Sequence, residues 1–211
     1  MSMHVTIIAK EPRAGFVKTR LCPPCTPQQA ADVAAAALHD TLDAVDVVVG
    51  RLADVDRVLL FDGDATAWTR PGYRVVPQRG SALASRLSHA FDDLGPGLIV
   101  GMETPGAVPA LADGVSALRS GHDVVGLAVD GGYWVIGLHR VDPVVFDDIP
   151  MSTSSTGLAQ LSRLHRLQRQ VRMLPMSHDL DTIDDLRIAA HHAPEGSRLR
   201  KVAQAVALQV G

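Results

Sequence analysis

Val5-Thr6-Ile7-Ile8-Ala9, then the loop Lys10-Glu11-Pro12-Arg13-Ala14-Gly15-Phe16-Val17-Lys18-Thr19-Arg20-Leu21, then Thr26-Pro27-Gln28-Gln29, is the stretch on which the fold turns. The first five residues form a largely apolar run, the mark of a strand covered on both faces. A polar segment with Gly and Pro follows as a loop from Lys10 to Cys25. Thr26 then reads as a helix cap, Pro27 as the first helical residue and Gln29 as the partner that completes a capping box. Val33, Ala37, Leu38, Leu42 and Val45 continue that helix as one apolar stripe.

The same alternation runs down the chain. Strands are expected at Val58 to Phe61, Tyr73 to Val76, Leu98 to Met102 and Val171 to Leu174. Ser81 is expected to cap a helix with Leu83, Leu87, Phe91 and Leu94 inward. Thr104-Pro105 restarts a helix with Val108, Leu111, Val115 and Leu118 inward. Asp123 to Val129 and Tyr133 to Leu138 flank Asp130-Gly131-Gly132, a hairpin turn. Ser154 to Arg169 is expected to be helical on a stripe of Leu158, Leu161, Leu164 and Leu167, and two further helices begin near Thr182 and Gly196. This order predicts an α/β fold, a mixed and mostly parallel sheet with helices on both faces. Residues 1–211 are read as one domain, with no linker dividing them. Ligands of such sheets sit beyond the carboxyl ends of the strands.

Composition narrows the function. The 211 residues are 46% apolar and 20% charged, with a net charge of -3, so no basic footprint points to a nucleic-acid polymer. No run approaches the roughly 18 to 20 apolar residues that span a bilayer. Met1 to Ala9 lacks a positive n-region, so secretion is not expected. Cys22 and Cys25 are too few for a disulfide framework, and a cytoplasmic setting is expected. Their C-x-x-C spacing holds two prolines, which suits neither zinc nor redox use, and they are read as loop residues.

The first loop carries Lys10, Arg13, Lys18 and Arg20 around Gly15, a composition able to wrap a polyphosphate, although a solvated surface loop is the plain alternative. It is neither a Walker A sequence nor a G-x-G-x-x-G. Glu103 follows a buried strand and precedes a helix, where a carboxylate can hold a metal on phosphates or simply favour the helix dipole. In Asp179-Leu180-Asp181-Thr182-Ile183-Asp184-Asp185, Thr182 caps a helix and Asp184 and Asp185 suit its first turn. Asp179 or Asp181 is left as a second metal ligand. Asp130-Gly131-Gly132-Tyr133-Trp134 is either a tight turn or part of a sugar or acceptor pocket. Gln78-Arg79-Gly80 can read a base edge or form a turn. The hydroxyls of Met151 to Gly157 most simply serve helix capping.

Together these pieces resemble the bacterial glycosyltransferase A-like proteins of the nucleotide-diphospho-sugar transferase superfamily, which also holds molybdenum-cofactor and phospholactate nucleotidylyltransferases. The likeness runs from Ala9 to Leu186. It rests on Ala9-Lys10-Glu11-Pro12 with Gly15 and Val17 to Leu21, on Gln78 with Gly80, Arg86 and Leu87, on Asp130 to Tyr133, on Ser152-Thr153, and on Asp179 to Thr182.

The resemblance implies a three-layer α/β/α domain of GT-A type and a transferase that uses a nucleotide sugar or an NTP with Mg²⁺ or Mn²⁺. Ala9, Lys10, Gly15, Lys18, Arg20, Gln78 and Gly80 would bind the nucleotide, and Asp130, Gly131, Gly132, Tyr133, Ser152 and Thr153 the sugar or a small-molecule acceptor. Glu103, Asp179 and Asp181 would hold the metal, with Lys18, Arg20, Glu103 and Asp130 catalytic. Glycosyl transfer is the first expectation, nucleotidylyl transfer the second and a non-catalytic nucleotide-binding protein the third.

Two departures stand out. Gly101-Met102-Glu103-Thr104-Pro105 replaces the usual Gly-Ser/Thr-Asp-x-Pro, so the metal or its loop must shift by a methylene, and Met151 replaces a usual tryptophan.

Overall fold

The computed structural model describes residues 3–178 and 180–210, with the side chains of residue 192 and residues 207–210 left aside. Within them, seven strands form one sheet in the order β3-β2-β1-β4-β6-β5-β7. The strands are β1 (Met3–Lys10), β2 (Val55–Asp62), β3 (Tyr73–Pro77), β4 (Gly97–Gly101), β5 (Asp123–Ala128), β6 (Tyr133–Leu138) and β7 (Val171–Ser177). The pairings of β6 are antiparallel and all others parallel. One edge of the sheet therefore gathers the ends at Lys10, Asp62, Pro77, Gly101, Ala128 and Ser177 with the start of β6. β1 lies between β2 and β4, so the chain reverses its direction of winding there, and a crevice is expected at that point.

The described residues also form six α-helices, of which α1 to α4 pack on the sheet: α1 (Pro27–Val49), α2 (Leu83–Leu94), α3 (Leu111–Arg119), α4 (Thr156–Arg166), α5 (Ile183–His192) and α6 (Arg198–Val210). Leu38, Leu42 and Val45 of α1 and Val115 and Leu118 of α3 pack with Ile7, Leu59 and Val100 on one face. Leu87 and Phe91 of α2 and Leu164 of α4 pack with Leu60, Ile99 and Ile136 on the other. The capping box of α1 is formed, with Thr26 Oγ1 accepting from the Gln29 amide at 3.2 Å and Gln29 Oε1 from the Thr26 amide at 2.7 Å. Thr182 and Asp185 make the same box for α5.

The second face of α1 is used as well. Ala30, Val33 and Ala37 bury themselves against Leu186 of α5 and Leu199, Ala203 and Val206 of α6. Leu21 and Cys25 from the first loop and Leu180 join this satellite core.

Several expectations are corrected. Ser81 does not cap α2: the cap position is Ala82, whose amide donates to Ser85 Oγ at 3.2 Å, one turn inside the helix. Leu83 is 38% exposed and does not join the core. On α4, Leu158 is 67% exposed, and the buried face is Thr156, Gly157, Gln160 and Leu164. Gln160 can be buried because its amide donates to the Val145 carbonyl at 2.9 Å. The segment after Thr104 begins as 3₁₀ turns over Pro105–Ala110 before α3, with Pro109 within those turns.

A buried histidine ties β1 to the end of α2. His4 Nε2 lies 3.1 Å from the Gly95 carbonyl and Nδ1 lies 2.7 Å from Thr6 Oγ1, which fits a neutral ring donating through Nε2. Burial lowers its pKa to about 4. The unfolded chain, with an ordinary histidine, takes up a proton near pH 6.5, and the folded chain does so only near 4. Stability is therefore expected to fall by about 2 to 3 kcal/mol as pH drops across that window, and to be flat above it from this source. Urea unfolding of wild type and His4→Gln at pH 7.5 and 4.5 checks this; an equal loss in both proteins would assign the effect to other groups.

Candidate active site

Loops at the carboxyl edge bring the first loop and the acids together. After β1 the chain turns through Lys18, which has a left-handed backbone at φ 49°, into a short 3₁₀ turn at Thr19–Leu21. Such a conformation costs a non-glycine residue about 1 kcal/mol. Here it aims the side chain of Lys18 inward, where it is only 3% exposed. The ammonium contacts Glu103 Oε2 and lies 3.4 Å from Asp181 Oδ1. Arg20 Nη1 reaches Asp181 Oδ2 at 2.6 Å. The four charges form one chain, Glu103–Lys18–Asp181–Arg20, although Lys18 and Asp181 lie 163 residues apart.

The surrounding structure explains how that is possible. Glu103 follows β4, and the carbonyl before it, on Met102, accepts from the buried Thr41 hydroxyl of α1 at 3.0 Å. Leu21 beside Arg20 and Leu180 beside Asp181 are both fully buried in the satellite core. The hydrophobic effect thus fixes the neighbours of two polar residues and leaves their charged ends at the rim. Among the described residues, no three His, Cys, Asp or Glu side chains gather as a metal cluster. Asp179 lies outside the described residues.

A cavity of about 500 Å³ opens beside this chain of charges. Of the residues expected from sequence to form a site, Ala9, Lys10, Lys18, Gln78, Glu103, Tyr133 and Ser152 line it. Burial raises the phenol of Tyr133 above its ordinary pKa, so it stays neutral, and its hydroxyl donates to Met151 Sδ at 3.7 Å. Gln78 lines the wall with its amide already engaged: Nε2 donates to the carbonyls of Ala9 and Leu60 at 2.7 and 3.1 Å, and Oε1 accepts from Arg86 at 2.8 Å. In this arrangement Gln78 braces β1, β2 and α2, and a free base-reading amide is not what it presents.

Other expected residues lie off the lining, among them Arg20, Asp181 and Gly132. Gly80 is in the turn before α2, its carbonyl accepting from Arg86 Nε at 3.1 Å. Gly15 stands in open space on the outer part of the loop, and Arg13 stacks on Phe16, 3.9 Å from the ring centroid. Asp130 Oδ1 accepts from the Gly132 amide at 2.8 Å, which is the turn reading of this segment. Gly131, at φ 93°, packs its backbone on Ser154, and its carbonyl accepts from the Gly157 amide at 2.8 Å. Thr153 serves the turn before α4, accepting from the Ser155 amide at 3.3 Å. Ser155 is the helix cap and makes no side-chain capping bond, so the hydroxyls shape a turn and do not cap α4.

Trp134, read in sequence with Tyr133 as part of a pocket or turn, lines the cavity too, and Phe16, Ser81, Leu83, Arg86 and Thr104 line it without having been assigned to it from sequence. Arg86 was the one within reach: it lies one helical turn after Leu83, on the same helix face. It also binds Asp62 at 2.7 Å, across the carboxyl edge.

Fold and site together define an α/β protein of the nucleotide-diphospho-sugar transferase type. The chain belongs to the family described as uncharacterized protein conserved in bacteria (DUF2064), which matches residues 33–153. No curated protein matches it. Among solved structures, it is similar to a protein of Desulfovibrio desulfuricans G20 provisionally assigned as a nucleotide-diphospho-sugar transferase, with a TM-score of 0.84, 26% identity, and coverage of 100% of this chain and 99% of that one. It shares the fold of Rv0371c from Mycobacterium tuberculosis H37Rv (TM-score 0.54, 22% identity, 89% and 97% covered). It also shares the fold of a nucleotidyl transferase from Methanothermobacter thermautotroptrophicus (TM-score 0.58, 14% identity, 90% and 97% covered).

Proposed function

We propose that this protein is a metal-dependent cytoplasmic transferase that takes a sugar from a nucleotide sugar and passes it to a small acceptor. The observation that carries this reading is the Glu103–Lys18–Asp181–Arg20 chain, whose Glu103 and Lys18 line a cavity at the sheet's reversal point. Lys18 and Arg20 supply positive charge for a diphosphate. Glu103 and Asp181 already converge on one cation, the Lys18 ammonium. Two carboxylates on a common point, open to further oxygen ligands, fit the donor set of Mg²⁺ or Mn²⁺. When bound, such an ion supplies Lewis-acid charge to phosphate oxygens.

In the transfer, an acceptor hydroxyl oxygen bonds to the anomeric carbon. The bond from that carbon to the diphosphate breaks, its electron pair stays on the phosphate oxygen, and the hydroxyl proton goes to solvent. Lys18 and Arg20 stabilise the charge that develops on the leaving nucleoside diphosphate. Tyr133 and Ser152, at the other wall, orient the sugar by hydrogen bonds.

A second reading is nucleotidylyl transfer from an NTP, favoured by the number of cations (Lys10, Arg13, Lys18 and Arg20) in the first loop. There a phosphate acceptor attacks the α-phosphorus and pyrophosphate leaves. Thermal melts with nucleotides and nucleotide sugars, each with Mg²⁺, Mn²⁺ or chelator, test both readings. A ligand at a hundred times its Kd adds about 2.7 kcal/mol, or roughly 5 to 10 °C in a chain of this size. The expected result is such a shift, lost on chelation. Free nucleoside diphosphate as product supports sugar transfer and pyrophosphate the alternative; a flat panel counts against both.

A further inference from the structure

A second cavity, of about 720 Å³, lies on the other side of Glu103. The two cavities share Glu103, Thr104 and Trp134 as a common wall. The second is built from α1, the 3₁₀ turns after β4, the end of β7, and the segment joining α5 to α6. Its apolar surface includes Val47, Met176 and Ile188, large side chains left exposed. Its lining acids outnumber its lining bases, and cations from outside the lining pair with two of them, Lys18 with Glu103 and Arg70 with Asp43. Asp40, Asp43, Glu103 and Glu195 line it. Among the described residues, Arg198 is its only lysine or arginine, and both Asp40 and Asp43 hold that guanidinium. His178 is the one other lining group able to carry positive charge.

The shared wall also holds an unsatisfied group. Thr104 is 3% exposed, and its hydroxyl oxygen has no hydrogen-bond partner among the described protein atoms. A buried polar atom left unpaired is costly, and a partner in either cavity removes the cost.

We propose that this second cavity is the acceptor subsite, and that it takes a small apolar molecule with a neutral hydroxyl or amine head, not a phosphorylated one. The inference rests on the donor reading of the first cavity. The cations near this cavity are already spent, Lys18 on Glu103, Arg70 on Asp43 and Arg198 on Asp40 and Asp43, so none is left free to receive an anionic head, while the apolar walls favour a hydrocarbon body. An acceptor hydroxyl beside Thr104 stands where the linings of the two cavities meet, the position nearest the donor. This subsite therefore suits sugar transfer to a hydroxyl and is unsuited to nucleotidylyl transfer onto a phosphate.

The test uses the full chain at pH 8.5. The probe is the neutral fluorophore N-phenyl-1-naphthylamine, competed with 1-octanol, octylammonium and octyl phosphate. Two variants act on the cavity: Gly106→Trp, where a Cβ meets nothing within 4 Å, and Ile188→Glu on the exposed side of α5. We expect probe fluorescence to rise on binding, and octanol and octylammonium to displace it at least tenfold more effectively than octyl phosphate. Each variant should weaken probe binding at least tenfold and leave the nucleotide-dependent thermal shift intact.

Absence of probe binding, equal binding by wild type and both variants, or octyl phosphate as the best competitor overturns the proposal while leaving the donor reading in place. Absence of any nucleotide shift in wild type overturns the donor reading, and with it the acceptor role, even where the probe binds.

Discussion

Replacing Lys18 by methionine is expected to lower donor-dependent turnover, as kcat/KM, about 10² to 10³-fold, the usual consequence of removing one charge that stabilises a developing anion. The ammonium is the hub of the charge chain, contacting both Glu103 and Asp181. Methionine keeps the apolar stem and the volume, so the loop should stay folded, and the nucleotide-dependent thermal shift should shrink with the activity. Arginine at the same position should not restore it, because a planar guanidinium cannot replace a compact ammonium between two carboxylates. A Lys18→Met protein that binds nucleotide as wild type does would make Lys18 an internal counter-ion for the acids and no more.

The second large effect concerns stability. Gly131→Ala is expected to destabilise the fold by about 4 kcal/mol, combining a left-handed backbone penalty with overpacking. A β-carbon at Gly131 would stand 1.9 Å from the Ser154 carbonyl oxygen, and φ there is 93°. Neither partner can yield cheaply, since both are backbone and the Gly157 amide donates to the Gly131 carbonyl. The melting temperature should fall by roughly 10 °C or more. Ser152, on the same turn, should move away from the cavity, so nucleotide affinity should weaken too. A melting temperature within 2 or 3 °C of wild type would mean that the turn and α4 separate easily.

Much of this architecture is legible in the chain. β1, its loop and α1 can be read because each carries a local signal: an apolar run, a cation-rich turn, and a Thr-Pro-Gln-Gln box that forms as written. Glu103 could be placed because the end of a buried strand is visible in hydropathy. Where reading fails, side-chain hydrogen bonding has overridden hydropathy. Gln160 is buried and Leu158 is not, because a satisfied amide is inexpensive to bury and periodicity counts only oil and water. Gln78 looks free in sequence and is spent bracing three elements. Leu83 has the spacing of a core residue and instead faces the cavity. The second cavity has no sequence signature at all, since its walls come from segments that meet only after folding.

The satellite core has a consequence for synthesis. The cationic loop leaves the ribosome well before Leu186, Leu199, Ala203 and Val206, which grip it through α1 and Leu21. A stalled polypeptide ending before Leu180 has neither Asp181 nor the two helices that seat it, and its Lys18 has Glu103 alone to face. Such products thus lack the paired acids, and the charge chain can assemble with its full support only after α5 and α6 have been made.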